Sequence, residues 1–375
     1  MNKNVFAWFL FISVIFVLPN VLYAQPPRGP FVISPKVNSG NTVTFSYLAP
    51  DAKLVLLDAQ FGKPIPMTKG GNGIWSVTTD PIKPDIYPYC FVVDGIRVMD
   101  PANEEFFPNE FFKASLVDIP GDLPLIHSMQ HVPHGTINYS TYQSKSMNGM
   151  FRPLVIYTPP GYEENPGTKY PVLYLISGTT DTEETWFKVG RANLILDNLI
   201  AQGKAVPMII VMPYGNNGIA VSGPSGPDVV PMYKAFSNDF INDIIPFTEK
   251  NYRVKADREN RAVAGFSRGG GQTLWAGLSN TDKFASICSF SAYLTTDTFE
   301  QNFSSFYANP ENTNKQMKLF WLSVGSEDFL YKQAVEFMDL LKAKNIKTKT
   351  LITKGGHTWM NCKLFLSEAA PLLFK

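Results

Sequence analysis

The chain has 375 residues, of which 45% are hydrophobic and only 17% are charged. An average globular protein has roughly 25% charged residues, and this apolar composition excludes a disordered chain or a coiled coil. The 33 lysines and arginines nearly equal the 32 acidic residues, so no basic field favours nucleic acid as a partner. The length favours one large α/β domain and one small domain.

The first 24 residues have the pattern of a cleavable secretory signal peptide. Lys3 precedes an uncharged apolar run over residues 5–18, and Ala24 precedes the polar Gln25. The run is shorter than the roughly 20 residues of a membrane span. We therefore expect a secreted or periplasmic protein, cut after Ala24 and without a membrane segment in its mature form, rather than a buried N-terminal helix.

Residues 28–118 have the alternating pattern of a small β-sandwich. Apolar and polar residues alternate in three short segments, at residues 42–47, 53–57 and 73–77. Such segments, separated by turn residues, favour an antiparallel all-β fold. Asp94 and Gly95 lie between two apolar runs and predict a β-hairpin, because Asp-Gly suits a two-residue turn with positive φ angles.

The hairpin sequence YCFVVDGIRVMDP (89–101) resembles the N-terminal sandwich of starch-branching and debranching enzymes, the family 48 carbohydrate-binding modules. This resemblance implies an Ig-like module, and a similar module precedes the catalytic domain of secreted esterases. Two roles are open for it: it binds sugar through Trp75 or Tyr87, or it only braces the following domain. We favour bracing, because no flat aromatic platform stands out.

Residues 119–150 are predicted to be a linker, because they are rich in Pro, Gly, Ser and His and show no hydrophobic period. They contain His127, His131 and His134, a spacing that suits a metal site if the segment is helical. Two prolines and a glycine in the same stretch argue against a helix. We therefore predict no metal site and no cofactor.

The three cysteines of the chain are too few for a disulfide framework. One disulfide is conceivable, between Cys288 and Cys362. Burial of both, and of Cys90, as small apolar side chains is the favoured alternative.

From residue 151 onward, apolar strands alternate with longer helical segments. Six segments are predicted to be strands, at residues 152–157, 171–176, 208–212, 261–264, 319–324 and 348–352. Residues 193–202 and 239–251 are predicted to be helices. Nearly continuous apolar strands with intervening helices are typical of a mostly parallel sheet covered on both faces. The pattern therefore predicts an α/β domain over residues 151–375.

The sequence GFSRG (265–269) directly follows the fourth of these strands and precedes a helical stretch. This is the G-x-S-x-G pattern of the nucleophile elbow in an α/β-hydrolase, where a sharp strand-to-helix turn presents the serine at the sheet edge. Glycines on both sides leave room for the turn. We therefore predict Ser267 as a nucleophile rather than as part of a structural turn.

A serine hydroxyl needs an adjacent base, which is usually histidine. His357 is the only histidine after residue 134 and follows the last predicted strand, so it is the predicted general base and acid. The residue that orients this histidine is expected between the serine and the histidine along the chain. Asp328 follows the fifth strand and is the predicted orienting acid, with Glu327 as its main rival.

An oxyanion hole needs two backbone N–H groups aimed at the developing charge. We predict that Arg268 provides one of them and Thr179, in the loop after the second strand, the other, with Thr180 as the fallback. Four aromatic residues on predicted loops near the sheet edge are candidate substrate contacts, and burial of each is an equal alternative. These residues are Trp186, Tyr214, Tyr293 and Trp359.

Several blocks of the chain together resemble carbohydrate esterase family 1, the esterase-D-like group that includes feruloyl esterases and acetylxylan esterases. The blocks are YTPPGY (157–162), GRANLILDNLIAQGKAVPMIIVMPYG (190–215), NDIIPFTEKNYRV (242–254), GFSRGGGQT (265–273), GSEDF (325–329) and GGHTW (355–359). The resemblance covers residues from about 130 to 375 and puts the triad on Ser267, Asp328 and His357. The chain departs from many members at positions 177–178, where Ser-Gly replaces His-Gly, a form similar to that of S-formylglutathione hydrolases.

The resemblance implies a serine esterase that acts on plant cell-wall polysaccharide through an acyl-enzyme. Release of ferulate and related hydroxycinnamates from feruloylated xylan is the first interpretation, and deacetylation of acetylated xylan is the alternative. A siderophore or thioester hydrolase is disfavoured by the signal peptide and the sugar-module-like front half. A carbohydrate-binding protein with a vestigial esterase domain is disfavoured by the intact Ser, His and acid set. Specificity is expected to depend on loops around residues 216–236 and 293–315, and the oligomeric state is left open.

Overall fold

The computed structural model describes residues 31–111, 113–219 and 229–375. The signal peptide predicted at residues 1–24 lies outside the described residues. The described chain contains two small sheets toward the N-terminus and one larger sheet flanked by helices. None of the helices in the described ranges is long and apolar enough to cross a membrane.

The N-terminal region is all-β, as its alternating pattern predicts. Its strands, β1 to β9, are Lys36–Val37, Val43–Leu48, Val55–Ala59, Ile65–Pro66, Thr68–Lys69, Ile74–Thr78, Asp85–Val93, Ile96–Val98 and Ser115–Ile119. One sheet has the order β1-β2-β6-β5, and the other has the order β4-β3-β7-β8 with β9 paired to β7. Phe45 from the first sheet and Phe91 from the second are fully buried in one shared core, so the two sheets pack face to face.

The predicted hairpin is present between β7 and β8. Val93 pairs with Ile96, and the two turn residues Asp94 and Gly95 have φ angles of 47° and 89°. Positive φ at both central positions is the requirement of a type I′ turn, whose twist matches that of the flanking strands.

The two aromatic residues considered for sugar binding lie in the core of this region. Trp75 is 7% exposed and Tyr87 is 5% exposed, and both belong to the apolar cluster between the two sheets. The burial of Trp75 argues against sugar stacking on this ring. Tyr87 also borders a cavity, so a contact of this residue with sugar stays a prediction.

The larger sheet contains eight strands of the described chain. These strands, β10 to β17, are Thr136–Ser144, Met150–Thr158, Val172–Ile176, Ile209–Pro213, Arg261–Phe266, Ser286–Phe290, Leu319–Gly325 and Lys349–Thr353. Their order is β10-β11-β13-β12-β14-β15-β16-β17. The pairs β10–β11 and β11–β13 are antiparallel, and every later pair is parallel. All six predicted strands are present, and β10 and β15 are additional.

Strand β10 lies inside the segment predicted to be a linker, residues 119–150. It is an edge strand, and of its nine residues only Tyr142 and Ser144 are buried, so it carries no continuous apolar run for sequence patterning to detect. Strand β15 is fully buried but short, and two of its five residues are serines. The domain limits themselves stay predictions.

Helices cover both faces of the larger sheet. The helices, α1 to α10, are Thr185–Lys188, Ala192–Ala201, Val230–Asp239, Ile245–Asn251, Arg268–Ser279, Thr296–Asn302, Ser304–Ala308, Pro310–Gln316, Tyr331–Ala343 and Trp359–Ala369. The π-helical turn Phe240–Ile244 joins α3 to α4, so the helix predicted over residues 239–251 continues from a preceding helix. Neighbouring residues of β14 face opposite apolar clusters, with Val263 in one and Ala262 in the other. This arrangement confirms the predicted α/β-hydrolase fold.

Short 3-10 turns, Ser39–Asn41, Arg258–Asn260 and Ala370–Leu372, complete the regular structure of the described residues. The three cysteines, Cys90, Cys288 and Cys362, are buried free thiols, as predicted from their number and the size of the chain. Cys288 lies on β15 and Cys362 on α10, and both pack in the apolar cluster on one face of the larger sheet.

Candidate active site

Ser267 occupies the sharp turn between β14 and α5. Its backbone has φ 56° and ψ −120°, a combination that is sterically costly for any residue with a Cβ atom. The turn is held by the Ser267 N–H, which donates to the Phe290 carbonyl at 2.9 Å. A strained serine at the carboxyl end of a parallel strand is the geometry of a nucleophile elbow.

The two flanking glycines of the elbow have no room for a side chain. A Cβ atom on Gly265 would lie 2.3 Å from the Gly269 carbonyl oxygen, and a Cβ atom on Gly269 would lie 2.4 Å from the carbonyl oxygens of Ile176 and Ser177. The first turn of α5 therefore packs directly against the end of β12, which brings the loop after β12 next to Ser267.

We expect Gly269→Ala to lower the free energy of unfolding by about 1–3 kcal/mol, because forcing a methyl group into a packed site costs that much or more. The matched control is Gly167→Ala, since a Cβ atom at Gly167 meets nothing within 4 Å. The control is expected to change stability by no more than about 1 kcal/mol in either direction. Urea unfolding of both variants measures the difference, and equal midpoints would contradict the packing argument.

His357 is hydrogen-bonded to the buried carboxylate of Asp328. The Nδ1 atom lies 2.8 Å from Asp328 Oδ2 and 3.0 Å from Oδ1. The aspartate side chain has no exposed surface, and that of the histidine is 16% exposed. Burial alone would raise the pKa of Asp328, but its bonds with His357 and the Leu330 N–H hold the pKa below the usual range. The carboxylate is therefore ionised and fixes the ring so that Nε2 is free to accept a proton.

The rival acid, Glu327, is exposed and belongs to the wall of a different cavity.

The aromatic rings of Phe266 and Phe329 each lie 4.6 Å from the His357 ring, measured between centroids. The histidine is thus held between two rings, and Phe329 is itself 67% exposed. These contacts restrict rotation of the imidazole and leave its outer edge accessible.

Ser267 and His357 line one cavity of about 490 Å³, which we call the Ser267 cavity. Four aromatic side chains contribute to its lining, namely Phe107, Phe266, Phe329 and Trp359. Polar side chains from the N-terminal region form another part of the wall, namely Asp58, Gln60, Arg97 and Asn109. The cavity therefore lies between the N-terminal region and the carboxyl edge of the larger sheet, where α/β folds place their ligands.

The sequence profile of the Esterase family matches residues 144–363 of this chain. The chain belongs to this esterase family. It is 31% identical over 362 residues to the endo-1,4-beta-xylanase/feruloyl esterase of Xylanibacter ruminicola, which covers 94% of this chain and 47% of that protein. The chain thus spans about half the length of that relative. The matched residues include Ser267, Asp328 and His357.

Two solved structures resemble the esterase over different shares of the chain. A ferulic acid esterase has a TM-score of 0.55 at 25% identity, over 64% of this chain and 97% of the other. The enterobactin esterase FES from Shigella flexneri has a TM-score of 0.60 at 15% identity, over 88% of this chain and 92% of the other. The second match shows a common fold only.

The two residues predicted to form the oxyanion hole are both associated with Ser267. Arg268 is the first residue of α5, and Thr179 lines the Ser267 cavity. The Arg268 side chain also holds the neighbouring loop, because its Nη2 donates to the Gly178 carbonyl at 3.0 Å. The fallback donor, Thr180, has a φ of 63°. The roles of these N–H groups stay predictions.

The aromatic residues proposed as substrate contacts have different positions in the esterase. Trp186 is fully buried and donates through Nε1 to the Ile176 carbonyl at 3.0 Å. Tyr293 is 8% exposed and packs in the core on one face of the sheet. The prediction is wrong for both residues, because they support the sheet from within. Trp359 lines the Ser267 cavity, whereas the Tyr214 hydroxyl bonds to Glu110 outside its lining.

The described residues of the two segments expected to control specificity do not line the Ser267 cavity. Residues 293–315 form α6, α7 and part of α8. The described part of residues 216–236 ends in α3, and residues 220–228 lie outside the described ranges. Among the described residues, the wall opposite Ser267 comes instead from the N-terminal region.

Two of the three histidines of the predicted linker lie near different carboxylates. His134 Nδ1 lies 2.9 Å from Asp197 Oδ2, and His127 Nε2 lies 3.6 Å from Asp85 Oδ1. Burial lowers the pKa of His127 to about 4, so this ring is neutral. Within residues 31–111, 113–219 and 229–375, no cluster of three or more His, Cys, Asp or Glu side chains is arranged to hold a metal ion.

Two polar residues near the site have no counterpart in the sequence-based predictions. Asp181, in the loop after β12, is 4% exposed, and Asn109, from the N-terminal region, is 7% exposed. Both line the Ser267 cavity and they bond to each other. Asp181 could have been singled out from the sequence, because it is a carboxylic acid within the loop predicted to supply an oxyanion donor. The chain offers no such signal for Asn109, which lies 72 residues away in sequence.

Proposed function

We propose that this esterase hydrolyses feruloyl and related hydroxycinnamoyl esters of xylan, with Ser267 as the nucleophile, His357 as the general base and Asp328 as the residue that orients His357. The observation that carries the proposal is the strained serine at the β14–α5 turn. It opens into the same cavity as a histidine whose Nδ1 is held by a buried carboxylate.

In the proposed reaction, Ser267 Oγ attacks the ester carbonyl carbon while His357 Nε2 takes the hydroxyl proton. The N–H groups of Arg268 and Thr179 stabilise the negative oxygen of the tetrahedral intermediate. Collapse of the intermediate releases the sugar hydroxyl, which receives the proton from His357, and leaves the acyl group on Ser267. Water, deprotonated by His357, then attacks the acyl carbon. The bond between that carbon and Ser267 Oγ breaks, His357 returns the proton to Oγ, and the carboxylic acid is released.

The shape and lining of the Ser267 cavity support an aromatic acyl group. A volume of about 490 Å³ is within the range of small-molecule sites. Its four aromatic side chains offer ring contacts that suit a planar hydroxycinnamoyl group, whereas an acetyl group uses few of them. The similarity to a xylanase/feruloyl esterase over 94% of this chain and to a ferulic acid esterase structure supports the same substrate class.

A second cavity supports a polysaccharide as the alcohol part of the ester. It has a volume of about 900 Å³, lies between the N-terminal region and the loop that carries His357, and shares Gln60 and Thr358 with the Ser267 cavity. Five charged side chains contribute to its wall, namely Lys63, Asp80, Lys83, Glu327 and Lys354, beside apolar side chains that include Phe61, Ile82 and Tyr87. A space that offers both apolar contacts and hydrogen-bonding groups next to the reacting centre suits a glycan, whose sugar rings present both apolar faces and hydroxyl groups.

Export belongs to the same proposal. The signal-peptide pattern of residues 1–24 and a polymeric substrate are mutually consistent, since a polysaccharide of the plant cell wall meets an enzyme outside the cell that makes it. Detection of the chain in the medium or periplasm, with its N-terminus at Gln25, is the direct observation for this part of the proposal.

A substrate panel tests the proposed specificity. We expect kcat/KM for methyl ferulate to exceed that for an acetylated xylo-oligosaccharide by at least about 10-fold, because an acetyl group forgoes contacts worth 1–3 kcal/mol. The panel also includes 4-nitrophenyl acetate as an activated ester and Ser267→Ala as the blank. A preference for acetylated xylan would replace the feruloyl specificity with deacetylation, and inactivity on every ester would contradict the proposed function.

A further inference from the structure

A short segment of the N-terminal region is fastened to the loop that follows β12. The Glu110 N–H donates to the Thr180 carbonyl at 2.7 Å, and the Thr182 N–H donates to the Pro108 carbonyl at 3.4 Å. Asn109 and Asp181 form an isolated antiparallel bridge between these contacts. Residues 108–110, which we call the clasp, therefore pair with residues 180–182 like a very short strand.

The carboxylate of Asp181, the residue paired with Asn109 of the clasp, links the N-terminal region to the backbone of the loop. Its Oδ1 accepts a hydrogen bond from Asn109 Nδ2 at 2.9 Å. Its Oδ2 accepts from the Gly178 N–H at 3.1 Å. The carbonyl of the same glycine accepts from Arg268 Nη2 at 3.0 Å. Both polar groups of Gly178, the residue before Thr179, are thus held by side chains.

The Asp181 carboxylate depends on these donors. The side chain is almost completely buried, and burial raises its pKa to about 7, opposed by the hydrogen bonds from Asn109 and Gly178 and by the charge of Arg268. A buried carboxylate that loses a donor is costly, and the surrounding loop relaxes to recover a partner. The adjacent Thr180 has a φ of 63°, which such relaxation would release.

We infer that Asn109 and Asp181 are positioning residues for ester hydrolysis: together they hold the 177–181 loop so that the Thr179 N–H points at the developing oxyanion. The inference rests on the proposed function, in which Ser267 attacks the ester. The N-terminal region is then a working part of the active site, because its clasp sets the geometry of an oxyanion donor. Removal of one such donor typically lowers kcat by 10²–10³ and leaves ground-state binding little changed.

The Asn109–Asp181 pair permits a test by exchange of the two side chains. In Asp181→Asn alone, the new amide nitrogen faces either Asn109 Nδ2 or the Gly178 N–H, so two donors meet. Turning the Asn109 amide only moves the conflict to the Phe111 N–H, which donates to Asn109 Oδ1 at 3.0 Å. In the double variant Asn109→Asp/Asp181→Asn, the amide at position 181 donates to a carboxylate at position 109, and the N–H groups of Gly178 and Phe111 each keep an acceptor.

We expect Asp181→Asn and Asn109→Ala each to lower kcat for methyl ferulate by about 100-fold, with KM within about twofold of the wild type. The double exchange is expected to recover kcat to within about fivefold of the wild type, because it restores the hydrogen-bond pattern. Asn72→Ala, at an exposed turn of the N-terminal region, is the matched control and retains full activity. The melting temperature of each variant is measured alongside, so that only folded protein is compared.

The outcomes separate this inference from the function on which it rests. If Ser267→Ala is inactive while both single variants keep wild-type kcat, the positioning role is overturned and the proposed function stands. The role is also overturned if the double exchange is folded and as slow as Asp181→Asn, because hydrogen-bond polarity then does not matter. If Ser267→Ala is itself active, the proposed function fails whatever the clasp variants do.

Discussion

Replacing Ser267 with alanine is expected to lower kcat for methyl ferulate by about a million-fold, the size of effect measured when a nucleophilic serine is removed from a working triad. The loss is this large because no neighbouring group can take the place of a hydroxyl held in a strained turn at φ 56°. Binding is expected to survive, because the cavity and its aromatic lining are unchanged, so KM or an inhibition constant for ferulate should change little.

The matched control for this variant is Ser326→Ala. Ser326 is an exposed serine just after β16, and its backbone N–H, not its side chain, bonds to the Thr353 carbonyl. We expect its kcat to stay within about twofold of the wild type, as for most surface substitutions. Residual activity of Ser267→Ala above about one hundredth of the wild type would contradict a nucleophilic role, because it exceeds what the rest of a triad supports.

Asp328→Asn is expected to lower kcat by about 10⁴-fold, because an amide that donates to His357 Nδ1 stabilises the wrong imidazole tautomer. That tautomer carries its proton on Nε2 and cannot accept one from the serine. Hydrogen bonds of 2.8 and 3.0 Å between Nδ1 and the carboxylate oxygens place this residue in contact with the ring. Folding should be retained, since the Leu330 N–H keeps an acceptor in the new amide oxygen.

Glu327→Gln is the matched control for Asp328→Asn, since it removes the charge of the neighbouring, exposed acid. We expect its kcat to be close to that of the wild type. A larger fall in kcat in Glu327→Gln than in Asp328→Asn would assign the orienting role to the glutamate.

The pH dependence of the free energy of unfolding supplies a second readout for Asp328. The pKa of Asp328 lies below its ordinary value of 3.8, so the contribution of its charge to stability is complete above that value and is lost as the pH falls through the lowered pKa.

The local parts of the site were accessible from the sequence for a physical reason. A nucleophile elbow is built from consecutive residues. Glycine is required at 265 and 269, because a Cβ atom at either position would lie under 2.5 Å from a backbone carbonyl oxygen. The scarcity of histidine in the second half of the chain narrowed the base to His357. The sequence around β16 could not decide between Asp328 and Glu327. The side chain that points toward His357 is determined by tertiary packing, which local sequence does not specify.

Two of the four aromatic predictions, those for Trp186 and Tyr293, failed for the opposite reason. Trp186 and Tyr293 were placed on loops near the sheet edge, and that placement carries no information on whether a ring points to a cavity or to the core. Trp186 packs against Trp359 with ring centroids 4.8 Å apart, so one ring is hidden while the other borders the Ser267 cavity. Only the positions of helices α1 and α10, which carry Trp186 and Trp359, determine which of the two rings lines the cavity.

The part played by the N-terminal region was also beyond sequence patterning. Asn109 of the clasp bonds to Asp181 across 72 positions, and the cavity is also lined by Gln60, just after β3, and by Arg97, on β8. Periodicity identifies which residues share a face of a strand, but not which face of one region meets the other. The sequence favours a bracing role for the N-terminal region. The structure shows that this region also lines the Ser267 cavity and is hydrogen-bonded to the predicted oxyanion loop.

Covalent labelling with a fluorophosphonate ester tests the central claim most directly, because such a reagent transfers its phosphonyl group to an activated serine with loss of fluoride. The proposed function predicts one adduct per chain, on the peptide that contains Ser267, with activity lost in proportion to labelling and slow labelling in Asp328→Asn. An adduct on another residue that abolishes activity, or full activity after complete labelling of Ser267, would contradict it.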